Sequence, residues 1–234
     1  MIIKTNKGLV EYAEAQLGRP YWYGTFGNKA TADLLERKKA QYPQHYQYAR
    51  MDIYKEQLGF RVHDCVGLIK GYLWSDGVNA TPKYNAEQDV SANGMLKKCR
   101  QRGRMNTLPE IPGILVFMPG HVGIYCGAGR VIEARGFHYG VVETDIYERP
   151  WENWGKCPWI KYPSGSRYFS ACAKDETSIV DALKSLGENS GYSYRKRIAA
   201  ANGIADYTGT AKENIRLLSL LRTGQLIRPD ALAA

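Results

Sequence analysis

Cys65 stands where the polar stretch Arg61–Asp64 gives way to the apolar run VGLIKGYLW. A thiol attacks a carbonyl well only as thiolate, and both a helix N-terminus and an adjacent cationic imidazole lower its pKa. A helix opening at Asp64 supplies the first condition. The second needs one of four histidines, His45, His63, His121 or His138. His63 is too close in sequence to face Cys65 across a site, and His45 lies in a solvated Tyr- and Gln-rich stretch. His121 opens a β-type run directly after Pro119-Gly120. That run reaches Cys126, turns through Gly127-Ala128-Gly129 and returns from Arg130. If Cys126 pairs with Arg130, His121 lies opposite Arg135, and Glu133 sits diagonal to His121 on the same face. A carboxylate there accepts the imidazole N–H, fixes its tautomer and favours its cation, the third role in a nucleophilic triad. Taken singly, a helix-start Cys, a strand-opening His and a hairpin Glu are each more often structural. Their combination points to nucleophilic acyl chemistry.

The elements that must position these residues follow from periodicity. Residues 7–17 carry Leu9, Val10, Ala13 and Leu17 at helical spacing, stopped by Gly18 and Pro20. GRPYWYGTFG is a Gly- and aromatic-rich loop. Residues 30–58 read as polar helix broken near Pro43. Asp64 caps a helix whose apolar face is Val66, Leu68, Ile69, Tyr72 and Leu73. A short helix is expected around 86–100. From Ile114 the period changes to short β-type runs, ILVFM, HVGIYCG, RVIEARG and GVVETDI, with WENWGKCPWIKY as a closing strand. Helices followed by an antiparallel meander make an α+β fold.

Beyond Tyr168 the composition shifts. Residues 174–234 lack Trp and Phe and are rich in Ala, Leu, Lys and Arg. SIVDALKSLG, YRKRIAAANGI and GTAKENIRLLSLLRTGQLI read as three short helices. Asn202-Gly203 and Gly224 are C-terminal stops, and Thr210 with Glu213 has capping-box spacing. The expected division is a catalytic domain over 1–168, a linker over 169–176 and a small helical unit over 177–234, able to fold alone.

The formal charge of +9 favours an anionic partner: nucleic acid, a membrane surface or a cell-wall polymer. The densest basic clusters, Arg37-Lys38-Lys39 and Arg195-Lys196-Arg197, are short. Seventeen Tyr against five Phe suits polar ligand surfaces, although most are read as half-buried filling. The five cysteines are widely spaced with no CxxC pair, so neither a disulfide framework nor a structural zinc site is indicated, and a reducing cytoplasm is expected. No window reads as a signal peptide or a membrane span.

DCVGLIKGYLW, GHVGIYCGAGRVIEA and LGRPYWYGTFG, in their order along the chain, resemble the three motifs of NlpC-type cell-wall cysteine peptidases. The likeness spans residues 7–162. It implies a reduced papain-like fold, with a Cys-bearing helix packed on an antiparallel sheet that carries the His. It implies Cys65 as nucleophile with its own N–H in the oxyanion hole, His121 as general base and then acid, and Glu133 in the orienting position. Asp64, Tyr21 and Tyr23 resemble substrate contacts near the peptide's amino side. Three departures stand out. The third residue is usually His, Asn or Gln; Val66 replaces the family's Ser; and residues 28–60 are longer than the usual connection and could form a flap.

The last segment resembles small modules at the ends of bacteriophage endolysins, which implies a wall-holding role. The expected function is therefore a peptidoglycan hydrolase, a phage or prophage endolysin. It would cleave an amide of the stem peptide or cross-bridge, between D-Glu and the diamino acid. It would be made without a signal peptide and act on the wall after release. The expected partners are stem peptides and the anionic wall, with no nucleic acid, no membrane insertion, no metal and no organic cofactor. Two alternatives stay open: an N-acetylmuramoyl-L-alanine amidase or acyltransferase using the same triad, and a non-catalytic wall- or nucleic-acid-binding protein with a decayed site.

Overall fold

Hydroxyl and carboxylate caps start most helices of the first unit. In a computed structural model, which describes residues 3–162 and 168–229, the chain divides into two units. One holds residues up to Tyr162 except 109–111; the other holds 109–111 and the residues after 162. Residues 163–167 of the expected catalytic domain and 230–234 of the expected helical unit lie outside the described residues.

The first unit begins with α1 (Asn6–Glu14), whose first turn is closed by the Thr5 hydroxyl accepting from the Gly8 N–H. Strand β1 (Phe26–Lys29) pairs antiparallel with β2 (Arg61–His63), and between them run α2 (Ala32–Gln41) and α3 (Met51–Glu56). The expected break near Pro43 falls between these two helices. Helix α4 (Cys65–Trp74) follows β2 directly, capped by Asp64. The expected helix over 86–100 is shorter, α5 (Ala92–Lys98), because the Ser91 hydroxyl caps it at the Gly94 N–H and Val90 stays outside the helix.

The remaining strands are β3 (Arg102–Arg104), β4 (Ile114–Met118), β5 (His121–Gly127), β6 (Arg130–Gly136), β7 (Gly140–Asp145) and β8 (Asn153–Gly155). They form one antiparallel sheet in the order β3-β8-β4-β5-β6-β7. The expected meander covers β4 to β7. The closing strand does not continue it. It crosses back to pair with β4, and β3, which shows no apolar alternation, pairs on its far side.

The main core lies between α1, α4, α5 and one sheet face, with Leu9, Leu68, Ile69, Met95, Phe117 and Ile132 fully buried. Helix α4 is covered on more sides than an amphipathic stripe allows. Gly67 faces the Thr25 carbonyl and Gly71 the Tyr12 hydroxyl, each so close that a Cβ would collide. The insertion over 28–60 builds a second, smaller core around Trp22 with Leu34, Leu35, Tyr46, Met51 and Tyr54.

His63 is wholly buried, with its Nε2 3.1 Å from the Tyr12 hydroxyl. Burial first, then the charges of Arg61 and Arg19, push its pKa down to about 3. The folded state therefore holds His63 neutral, while the unfolded chain protonates it near pH 6.5. Stability from this group is full above that value and is lost as pH falls toward 3, at a slope approaching 1.4 kcal/mol per unit, roughly. His63→Gln is expected to flatten the acid limb of a Tm-against-pH curve between pH 6 and 4.

The second unit contains α6 (Ile179–Ser185), α7 (Tyr192–Ala201) and α8 (Ala211–Arg222). They enclose a core of Ile179, Leu183, Ile198, Leu217 and Leu221. Thr210 and Glu213 form the reciprocal capping box, and Gly203 and Gly224 adopt the positive φ expected of helix stops.

Candidate active site

Asp64 shapes the Cys65 turn. Its Oδ1 accepts from the Gly67 N–H at 2.6 Å and its Oδ2 from the Gly24 N–H at 2.8 Å. One carboxylate thus caps α4 and ties down the aromatic loop. Burial pushes the Asp64 pKa up against these bonds and the charges of Lys70 and Lys38. Cys65 is half-buried, and the N–H groups of Val66, Val122 and Cys65 itself favour its thiolate form. The first and third belong to the free N–H set of a helix start. The second belongs to the residue after His121 and brings the sulfur to the start of β5.

The expectation that the helix start lowers this thiol's pKa is reversed. Burial first, and then the neighbouring Asp64 charge, push Cys65 up to about 12 despite the three N–H groups. The resting sulfur is the thiol, so attack requires a proton acceptor at the moment of reaction.

His121 and Glu133 meet as the strand pattern requires. His121 Nε2 lies 2.6 Å from Glu133 Oε2, which leaves Nδ1 as the ring nitrogen free to take a proton. The turn differs from expectation: Gly127, not Cys126, pairs with Arg130, and Ala128 and Gly129 take positive φ in a two-residue turn. A bulge at Cys126 absorbs the extra residue, so Ile124 pairs with Ile132, and carrying that register along the strands sets His121 opposite Arg135.

Glu133 is wholly buried. Burial alone would raise its pKa. The hydrogen bond and charge of His121, then Arg149 at 3.8 Å and the Thr144 hydroxyl, outweigh it and hold the carboxyl below the ordinary glutamate value. Thr144 Oγ1 donates to Oε1 at 3.1 Å, so both oxygens are occupied. The Trp151 ring stacks beside His121, centroids 5.7 Å apart at 19°. Thr144, Arg149 and Trp151 were not foreseen. Thr144 was within reach of strand alternation, because β7 sets Val142 against Glu133 and Thr144 two residues on. Arg149 and Trp151 sit between β7 and β8, where no periodicity marks them.

Gly123 makes room for this stack. A Cβ there would lie 2.6 Å from the Val131 side chain and 3.0 and 3.2 Å from the Trp151 ring. Gly123→Ala is expected to shift Trp151 off His121, lowering kcat/KM about tenfold and stability by roughly 1–3 kcal/mol. Steady-state kinetics and thermal melts of the same preparation separate the two effects.

Tyr21 packs at the core edge with Cys65, and its hydroxyl pKa is raised by burial, then by the charges of Asp64 and Cys65. Tyr23 turns toward the insertion, stacked on His45 at 3.6 Å and edge-on to Tyr42 at 5.0 Å. Lys38, Tyr42, His45 and Tyr46 all feel the Asp64 charge, so the insertion flanks the aromatic-loop side of the site.

Solved structures similar to this chain include NlpC2 from Trichomonas vaginalis, at 16% identity and a TM-score of 0.41, covering 69% of this chain and 49% of that one. The peptidoglycan hydrolase RipB from Mycobacterium tuberculosis is similar at 18% identity and a TM-score of 0.37, covering 67% of each chain. The NlpC/p60 domain of the peptidoglycan hydrolase SagA is similar at 14% identity and a TM-score of 0.37, covering 65% of this chain and 98% of that domain. This chain spans about half the length of the two Trichomonas vaginalis structures it matches. No curated protein gives a significant match. The model of the NlpC/P60 family matches residues 18–159, more than half of the sequence and the whole of the Cys-helix and His-strand region. The chain therefore belongs to the NlpC/P60 family, whose members are cysteine peptidases acting on peptidoglycan.

Proposed function

We propose that this chain is a peptidoglycan hydrolase of the endolysin kind, cleaving an amide of the stem peptide between D-Glu and the diamino acid. The observation that carries the chemistry is the pairing of His121 Nε2 with buried Glu133 at 2.6 Å, on the strand whose Val122 N–H favours the Cys65 thiolate.

The steps follow from the geometry. Cys65 gives its proton to His121 Nδ1 as the sulfur attacks the amide carbon. The carbonyl oxygen becomes an oxyanion, met by the Cys65 N–H at the helix start. Glu133 stabilises the imidazolium and keeps its ring in place. His121 then protonates the leaving nitrogen, the C–N bond breaks and a thioester remains on Cys65. Water, deprotonated by His121, attacks the thioester; the acid product leaves and the thiol is restored.

Asp64, Tyr21 and Tyr23 take the amino side of the peptide. Asp64 acts there by fixing the loop through Gly24, since both of its oxygens already accept N–H groups. The helical second unit holds the enzyme on the wall. The reading is tested by mass spectrometry of fragments released from purified walls. A new free amine on the diamino acid supports it. A new amine on L-Ala moves the bond to that of an amidase, and no new amine from several wall types removes the hydrolase reading.

A further inference from the structure

Five of the eight residues from Lys97 to Arg104 are basic, Lys97, Lys98, Arg100, Arg102 and Arg104, and none is acidic. This stretch holds more basic residues than either short cluster singled out from the sequence, though less densely. Cys99, Gln101 and Gly103 interrupt it, so it does not read as a run. The fold concentrates it. The last turn of α5, the following bend and the edge strand β3 place all five side chains at the surface. Lys97, Arg102 and Arg104 line a groove of about 400 Å³ with Leu96, Gly103 and Asn153. Among the described residues, no ion pair neutralises Lys97, Lys98, Arg100 or Arg104.

Two structural duties account for part of this charge. Lysines in the last turn complement the α5 dipole, and Arg102 Nη1 donates to the carbonyls of Leu96, Lys97 and Cys99, closing that helix end. Charge on an edge strand also discourages strand-to-strand association. The edge-strand duty covers Arg102 and Arg104 but not Arg100, which lies in the bend between α5 and β3, and neither duty calls for basic side chains that share one groove. Arg102 and Arg104 are two apart on one strand and so stand on the same face, about 7 Å apart. Guanidinium groups bind phosphate through paired N–H donors. The groove lining carries no aromatic ring on which a nucleic-acid base could stack.

We infer that this edge groove binds a phosphodiester-linked anionic polymer attached to the cell wall, giving the catalytic unit its own hold on the wall; the choice of a wall polymer rests on the hydrolase reading above.

The test uses the full chain and its triple variant Lys97→Gln/Arg100→Gln/Arg104→Gln. These residues are exposed and outside the catalytic machinery, and Arg102 is kept for its helix-closing bonds. The soluble probe is poly(glycerol phosphate), titrated at several salt concentrations. A second arm compares walls before and after hydrofluoric acid removes their phosphodiesters. A third follows hydrolysis of a soluble stem peptide.

The wild type is expected to bind the polymer with steep salt dependence, and to bind acid-treated walls less. The variant is expected to bind about tenfold or more weakly, with a log–log salt slope reduced by up to about one per cation removed. Its soluble-peptide turnover should match the wild type. Equal polymer binding by wild type and variant overturns the inference, as does tighter binding to duplex DNA at equal phosphate concentration. Absent peptide turnover in both proteins, with the polymer shift intact, would count against the hydrolase reading and leave the groove's polyanion binding standing.

Discussion

Cys65→Ala is expected to abolish amide hydrolysis, lowering kcat/KM on a soluble stem peptide by about four orders of magnitude or more. In the steps proposed above the thiol is the attacking group, and no oxygen or nitrogen nucleophile of the chain takes its place. The fold should survive. Cys65 is half-buried at the first position of α4, where Ala is a good helix former, and the Asp64 cap does not involve the Cys65 side chain. Thermal melts and far-UV spectra of the variant should match the wild type, so that lost turnover reports chemistry. His121→Ala should lose activity to a similar degree, because a thiol pushed up to about 12 hands its proton to His121 in the steps proposed above.

Glu133→Ala and Glu133→Gln are expected to part company. Alanine leaves His121 Nε2 and the Thr144 hydroxyl without their acceptor and Arg149 without its countercharge, around a carboxylate that is itself wholly buried. Breaking such a pair from one side destabilises by about 3 kcal/mol. Activity should fall about 10²- to 10³-fold, because the imidazole loses both its orientation and the partner of its cation. Glutamine keeps an acceptor oxygen for the His121 N–H and fits the same space. It should retain far more activity and lose only the charge component. The pH dependence of stability separates both variants from the wild type. The Glu133 carboxyl is held below the ordinary value, so its contribution is full above about pH 4.5 and is lost as pH falls through its folded-state pKa. The glutamine variant should therefore show a shallower loss of Tm between pH 5 and 3 than the wild type.

The pairing of His121 with Glu133 was legible in the sequence because strand alternation is rigid. Once His121 and Glu133 are placed on neighbouring strands with a short turn, parity alone puts them on one face. Even the misassigned turn did no harm, since the Cys126 bulge restored the register before the strands reached His121. The helix caps at Asp64 and Thr210 were legible for the same local reason: a short polar side chain followed at fixed spacing by free N–H groups.

What stayed hidden depends on the approach of distant segments. The direction of the Cys65 shift is set by burial and by Asp64, which itself is buried by the aromatic loop. Trp151 and Arg149 reach the site only because β8 crosses back over the sheet to pair with β4. The three residues of β3 carry no hydrophobic signal, so neither the strand nor the basic groove it borders could be read from composition. The insertion over 28–60 reads as polar helix, yet its inward residues wrap Trp22.

The most direct measurement of the central claim is a thiol-blocking titration. The small reagent methyl methanethiosulfonate is added in steps, and wall-lysis activity is plotted against the fraction of the tryptic peptide Val62–Lys70 that carries the modification. Cys65 is the one cysteine of that peptide and the one half-buried cysteine of the chain; Cys99, Cys126, Cys157 and Cys172 are buried. The expected result is a straight line, with activity lost in proportion to Cys65 modification and restored by reductant. Full modification of Cys65 with lysis intact would contradict the assignment of Cys65 as the nucleophile.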